Sequence, residues 1–196
     1  MRLLLPGSLL VLSLATIAPA QVFEIGMFGG PNRTSNNEIG TISADPTTGQ
    51  LKLGGTWKLG FRATLNNGRF FGNEFGYAYN RTQLKQPDVE DQGMAIHQGF
   101  YNFLLYGLPE GSRIRPFATG GVHFNNYVPP GSSAANGGGS TKFGYNYGGG
   151  VKVRVSSLFL IRFDVRQYQT GKPFSLPNQD GLFKQLEFTA GFSLAL

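Results

Sequence analysis

Apolar and polar residues alternate most plainly in Gly148 to Arg166. Val151, Val153 and Val155 interleave with Lys152, Arg154 and Ser156. A Ser156-Ser157 turn follows, and Phe159, Ile161, Phe163 and Val165 then interleave with Leu160, Arg162, Asp164 and Arg166. A side-chain period of two is that of a β-strand, and two such runs about a short polar turn predict a hairpin. Its polar face carries Lys152, Arg154, Arg162, Asp164 and Arg166 without a break. In a soluble hairpin that face meets water and the apolar face meets a core. In a membrane barrel the apolar face meets lipid and the polar face turns inward.

The same period predicts five further strands and a short opening one. Val22 to Phe28 comes first, ended by Gly29-Gly30-Pro31-Asn32. Leu51 to Leu65 is next, with Leu51, Leu53, Trp57, Leu59, Phe61 and Ala63 on one face and Lys52, Thr56, Lys58, Arg62 and Thr64 on the other. Asn66-Asn67-Gly68 is a hairpin turn, because Asn-Gly tolerates positive φ. Arg69 to Arg81 follows, then Met94 to Gly107, whose two faces both carry large apolar residues: Tyr101, Phe103 and Leu105 against Phe100, Leu104 and Tyr106. Ile114 to Tyr127 places Arg115, Thr119, His123 and Asn125 on its polar face, and Phe183 to Leu196 sets Leu186, Phe188, Ala190, Phe192, Leu194 and Leu196 against Glu187, Thr189, Gly191 and Ser193. The hairpin supplies strands six (Lys142 to Val155) and seven (Leu158 to Thr170), making eight. Their connections alternate long and short, the long ones spanning 33–50, 82–93, 128–141 and 171–182. An even strand number with short turns at one end and long loops at the other is the outer-membrane pattern. The predicted fold is all-β, an eight-stranded antiparallel up-and-down transmembrane β-barrel with both chain ends at the short-turn side.

Three features favour this facing over that of a soluble barrel. Glycines (Gly26, Gly54, Gly60, Gly72, Gly76, Gly148, Gly150, Gly191) share the polar faces with the charges, and the bore of eight strands has room only for side chains. Aromatic rings (Trp57, Tyr77, Tyr79, Tyr145, Tyr147, Phe159) stand on the apolar faces toward strand ends, as in the girdles at a lipid–water boundary. A closed sheet pairs every backbone group internally, as a bilayer demands. Composition agrees: charged residues are 14% of the 196, against about a quarter in soluble proteins, and Gly numbers 29. The net charge of +6 is spread through alternating strands rather than clustered, which gives no reason to expect nucleic acid. Without cysteine there is no disulfide, thiolate metal site or cysteine nucleophile.

The first twenty residues, MRLLLPGSLLVLSLATIAPA, read as a signal peptide: Arg2, an apolar stretch from Leu3 to Ile17, and the small residues of Ala18-Pro19-Ala20. Cleavage after Ala20 would leave residues 21–196 as the barrel domain. No cysteine follows for lipid attachment. No later stretch reaches the ~18 apolar residues of a spanning helix.

At specific segments the chain resembles the small OmpA-like outer-membrane β-barrel family. RIRPFATGGVHF (Arg113 to Phe124) is similar to its fifth strand, with an Arg-Pro-aromatic opening and a Gly-rich run. YNYGGGVKVRVSSLFLIRFDVRQY (Tyr145 to Tyr168) is similar to its sixth and seventh. The ending Thr189 to Leu196 resembles the C-terminal signal read by the barrel-assembly machinery, except that Leu196 stands where the family usually has Phe. The resemblance implies a monomeric barrel in the outer membrane of a Gram-negative-type bacterium, embedded in outer-membrane lipid. No peptidoglycan-binding domain follows the last strand, so a direct cell-wall tether is not expected.

By parity the lumen should hold Lys52, Lys58, Arg62, Arg115, Lys152, Arg154, Arg162 and Arg166 with Glu24, Glu74, Asp164 and Glu187. Charges in so narrow a space must pair, since desolvation costs several kcal/mol per ion. The expected result is a charged plug centred on Asp164, acting as filling or as a gate. A narrow anion-preferring pore or transport barrel is the alternative. No cofactor, metal or catalytic site is expected. His97 and His123 stand in no compact Ser/His/acid constellation, and Asp88, Glu90 and Asp91 read as a solvated acidic loop. The expected role is structural, or surface contact with an external ligand through the long loops. A secreted soluble barrel binding an apolar ligand would require the opposite facing, with Ile161, Phe163 and Phe188 inside and Arg162 in water.

Overall fold

The computed structural model describes residues 22–45, 49–55, 57–87, 89–134 and 137–196; the predicted leader over 1–20 lies outside the described residues. Ten strands form one sheet: β1 (Val22–Ser35), β2 (Glu38–Thr41), β3 (Gln50–Leu53), β4 (Trp57–Asn67), β5 (Phe71–Gln86), β6 (Val89–Tyr106), β7 (Ile114–Val128), β8 (Ser140–Arg154), β9 (Phe159–Thr170) and β10 (Phe183–Ala195). Every pairing is antiparallel. The eight long strands follow one another around the wall, and β1 closes the circle by pairing with both β4 and β10. The chain is a closed eight-stranded antiparallel barrel, and β2 and β3 form a small hairpin attached to β5 at the long-loop end.

The wall faces outward with its apolar residues. Ile25, Met27, Leu59, Phe61, Phe75, Phe103, Val122, Phe163, Val165, Phe188 and Phe192 are all exposed, whereas Glu24, Lys58, Arg62, Glu74, Lys152, Arg162, Asp164 and Glu187 are buried. Ile161, 40% exposed, and Arg162, 1% exposed, alternate as a lipid-facing wall requires.

Several elements differ from the sequence pattern. β1 runs through the Gly-Gly-Pro stretch to Ser35. Pro31 has no N–H to give, so the ladder to β10 lapses at Gly30 and Pro31 and resumes at Asn32↔Glu187 in unchanged register. The expected loop 82–93 is instead the extension of β5 and β6, which stay paired to Gln86↔Val89. The expected strand 51–65 is two strands. Leu53 and Lys58, five positions apart, both point inward, so the two-residue period is reset across Gly54-Gly55. This break corrects the placement of Lys52, which lies outside the lumen in an exposed pair with Glu38 at 3.0 Å. Leu51 and Leu53 take the buried face in its place.

The facing yields a direct prediction. Ile161→Arg, in a barrel refolded into lipid vesicles, should lower the unfolding free energy by about 2–4 kcal/mol, the cost of a lipid-facing Arg near the bilayer midplane. Denaturant unfolding checks it; an unchanged midpoint would contradict a lipid-facing Ile161.

Candidate functional site: the filled lumen

Inward-facing positions on neighbouring strands meet in successive tiers. At the short-turn end, Glu110 of the Leu108 to Arg113 turn joins Arg115 and Arg154. Arg115 Nη1 donates to one of its oxygens, and Arg154 Nη2 donates to the other at 2.8 Å. Arg154 is only half-buried, so it belongs to this rim rather than to the bore.

Above the rim lies a closed ring of four side chains. Lys152 Nζ donates to Glu24 Oε2 (2.6 Å) and to the Tyr106 hydroxyl (2.8 Å). Tyr106 donates to Asn66 Oδ1 (2.6 Å), whose Nδ2 donates back to Glu24 Oε1 (2.7 Å). Each member donates and accepts as its chemistry allows, so consecutive bonds polarise one another.

The middle tier is the densest in charge. Glu74 accepts from Arg162 (2.5 Å) and Arg166 (2.7 Å); Asp164 accepts from Arg62 (2.9 Å), Arg162 (2.8 Å) and Arg166 (3.1 Å). Three guanidiniums thus share two carboxylates, with Arg162 and Arg166 each bridging both. The strand register makes this possible: Asp164 sits opposite Thr189 and Gly150, Glu74 opposite Thr64 and Asn102, so no bulky neighbour blocks the reach across the bore. Toward the long-loop end, Lys58 donates to Glu187 and to Gln98 Oε1 (2.7 Å). His123 Nε2 and Thr170 Oγ1 stand 2.7 Å apart.

Of the expected lumenal residues, the structure brings Glu24, Lys58, Arg62, Glu74, Lys152, Arg162, Asp164, Arg166 and Glu187 together in the bore. Arg115 and Arg154 stand at its rim, and Lys52 lies outside. Sequence parity did not reveal the aromatic partners. Arg62 lies over Phe28 (4.7 Å to the ring centre), Arg162 over Phe117 (4.3 Å), Arg115 over Tyr106 (3.4 Å) and Lys58 over Tyr168 (4.7 Å). Stacked guanidiniums keep a favourable electrostatic contact on the face that hydrogen bonds cannot use. Room for the rings comes from glycine: a Cβ at Gly76 would stand 2.2 Å from the Phe100 ring, and one at Gly150 would stand 2.8 Å from the Phe117 ring. The doubly apolar strand Met94 to Gly107 was the available signal, since Phe100, Leu104 and Tyr106 all face inward.

The lumen also has a cap. Ile39, Leu51, Leu53, Met94, Ile96, Tyr127 and Phe183 form one buried apolar cluster at the long-loop end, with Leu84, Phe174 and Leu176 packed against it. The β2–β3 hairpin and residues 171–182 are stitched across it. Gln179 Nε2 donates to the carbonyls of Ile39 (2.6 Å) and Pro173 (2.5 Å), Thr41 N–H to Pro177 O (3.0 Å), and Asn36 Nδ2 to Leu182 O (2.8 Å).

The two histidines lie on opposite sides of the wall: His123 is buried in the lumen and His97 faces outward beside Tyr77. Among the described residues, no three His, Asp or Glu side chains gather as a metal site. Asp91 is an exposed partner of Lys85 (3.2 Å), and Asp88 lies outside the described residues.

The family model of the outer membrane protein beta-barrel domain matches residues 8–195. No curated protein matches the chain. Among solved structures, the outer membrane protein OprG of Pseudomonas aeruginosa is similar at 12% identity and a TM-score of 0.61, covering 90% of this chain and 97% of that one. The Neisserial surface protein A is similar at 14% identity and 0.54, covering 88% and 96%. The N-terminal barrel of Pseudomonas aeruginosa OprF is similar at 14% and 0.52, covering 89% and 97%. At these identities the likeness concerns the fold.

The middle tier predicts an asymmetry in stability. Glu74→Ala strands Arg162 and Arg166 in the bore and should cost about 3–5 kcal/mol, the penalty for breaking a buried pair. Glu38→Ala removes the exposed partner of Lys52 and should cost at most about 1 kcal/mol. Denaturant unfolding of both variants in the same lipid vesicles gives the comparison.

Proposed function

The chain belongs to the outer membrane protein β-barrel domain family, and on that premise we propose that this outer-membrane barrel is closed to solutes and serves the envelope as a structural element and an outer contact surface. The observation that carries this reading is that the lumen is filled twice. Ion-paired tiers occupy the bore, and an apolar cap covers its outer mouth. An ion entering from outside would have to part Ile39, Leu53, Met94 and Phe183 before meeting the ionic tiers of the bore. The surplus of guanidiniums in the middle tier favours anions, so an anion-selective leak is the form any residual conduction would take.

A contact role is supported by the way the outer end is built. β5 and β6 continue as a paired hairpin to the turn at Pro87. β3 adds to the edge of β5 through Lys52↔Lys85 and Leu53↔Leu84, and the 171–182 segment is bonded onto β2. Such a surface is ordered before any partner arrives, which lowers the entropy lost on contact. Exposed apolar tips at Ile42 and Val89 are available to that contact. The reading assigns the barrel no catalytic step and no cofactor. Export by cleavage after Ala20, insertion through the barrel-assembly machinery and a monomeric state belong to the same proposal.

In planar bilayers the purified barrel should show no discrete conductance steps, while its gel mobility in detergent shifts on boiling. Stable open-channel steps from the heat-modifiable species would overturn the closed reading. For the leader, N-terminal sequencing of the membrane-extracted protein should begin at Gln21; a start at Met1 would contradict cleavage.

A further inference from the structure

On one flank of the barrel two concavities lie one above the other on the outward face. The lower is an apolar groove of about 710 Å³ lined by Phe75, Tyr77, Gly99, Val122, Phe124 and Phe143. The upper is smaller, about 210 Å³, and mostly polar, lined by Tyr79, Arg81, Ala95, Pro129 and Ser132 among others. The strand register fixes their relation. Arg81 pairs with Ala95 and Ala95 with Val128. One outward position lower, Tyr79 pairs with His97 and His97 with Asn126; below that, Tyr77 pairs with Gly99 and Gly99 with Phe124. Successive outward rows are about 7 Å apart along a strand, so head and tail of one amphiphile can bridge the two.

Between the concavities stands a polar belt on the lipid-facing side. The Tyr77 hydroxyl and His97 Nδ1 are 2.5 Å apart, Tyr79 packs edge-on against the His97 ring at 5.5 Å, and Asn126 Nδ2 donates to Thr141 Oγ1 at 2.8 Å. Arg81 above them forms no ion pair or hydrogen bond among the described residues, although every arginine of the lumen has a carboxylate. An outward cation without a protein partner, at the long-loop end of a barrel whose long loops face outside, sits at the headgroup level of the outer leaflet. Two outward rows beneath it, Gly99 carries no side chain and the Phe124 ring lies down over it, where a Cβ would stand 2.4 Å from the ring, so the floor of the groove is a flat aromatic face. Hydrocarbon covers every part of the wall, so the groove alone selects nothing; the cation above it supplies the discrimination.

We propose that this flank, formed by β5 to β8, binds one phosphorylated glycolipid of the outer leaflet. A phosphate rests on Arg81, sugar hydroxyls meet the Tyr79–His97 belt and an acyl chain lies in the groove along the Phe124 ring. Arg81 donates charge-assisted hydrogen bonds to the phosphate oxygens. Tyr79 and His97 offer the ring faces and polar edges that sugars use, and Val122 and Phe143 bracket the chain.

The test is native mass spectrometry of the folded mature barrel, titrated in detergent with bisphosphorylated lipid A, with dephosphorylated lipid A and with phosphatidylglycerol. Wild type should retain one bisphosphorylated lipid A per barrel. Arg81→Ala should weaken that binding about tenfold, as loss of a charged hydrogen bond implies, and Arg113→Ala, an exposed cation at the opposite end, should leave it unchanged. Val122→Trp, which fills the groove from an outward position, should also reduce retention. Boiling shifts on gels confirm that each variant is folded, and the dephosphorylated lipid tests the phosphate without any variant. Equal retention of the phosphorylated and dephosphorylated forms, equal retention of phosphatidylglycerol, or no effect of Arg81→Ala would each overturn the proposal. So would a lipid-free dimer joined through this flank.

Discussion

A wall that must face hydrocarbon leaves an eight-stranded barrel one place for its charges, and that place is too narrow for water to solvate them. The organisation of the bore follows from this constraint. A carboxylate there has to collect donors, and a guanidinium has to find both a carboxylate for its edge and something for its face. Glu74 and Asp164 solve the first problem by sharing Arg62, Arg162 and Arg166. Phe28 and Phe117 solve the second by lying under Arg62 and Arg162. Glycines on the inner face follow in turn, because a ring and a guanidinium stacked across so small a bore leave no space for another side chain at Gly76 or Gly150. The packing is a consequence of the electrostatics rather than a separate achievement.

The constraint also explains which parts of the architecture were legible. Alternation is a local property, and wherever a strand crosses the membrane both neighbours enforce it. The facing of Lys152, Arg162, Asp164 and Arg166 could therefore be read from two adjacent strands. It fails where that enforcement stops. At Gly54-Gly55 the pairing that defines a crossing strand is interrupted, the period resets, and a lysine assigned to the lumen emerges beside Glu38 in water. Beyond the membrane, Thr82 to Gly93 reads as loop because its residues are polar on both faces, as suits a hairpin standing in solvent; its pairing to Gln86↔Val89 is invisible to a hydrophobic pattern. Glu110 escaped for a different reason. It sits in a short turn, where period has no meaning, and is recruited to Arg115 and Arg154 by the geometry of the closed wall.

The apolar cap was the least legible feature, although its residues were in plain view. Ile39, Leu51 and Leu53 come from the β2–β3 hairpin, Met94, Ile96 and Tyr127 from the outer ends of β6 and β7, and Phe183 from the start of β10. No segment contributes enough of them to form a run, and the surface they bury is long-range in sequence. Their signal is compositional: apolar residues inside segments otherwise built of Gly, Asn, Thr and Pro. At the outer mouth the inward positions have left the hydrocarbon zone, the wall no longer dictates polarity, and the hairpin and the 171–182 segment can fold over the opening. Burying apolar side chains against water drives that closure, a force unavailable on the lipid-facing wall.

The two ends of the lumen therefore differ in kind. At the short-turn end Glu110 is partly open to solvent and is matched by two arginines, so the boundary with water is made of charge. At the outer end the boundary is made of Leu53, Met94, Ile96 and Phe183, with the ionic tiers held behind it. A solute approaching from inside meets paired groups that could exchange partners; one approaching from outside meets an apolar layer whose cover is hydrogen-bonded into place by Gln179 and Asn36. A barrel meant to pass ions outward-in would place its polar groups where the ion first sheds water. Here that position is apolar and tied down, which supports the proposed closed barrel, in which the charged bore would be the foundation of the outer surface.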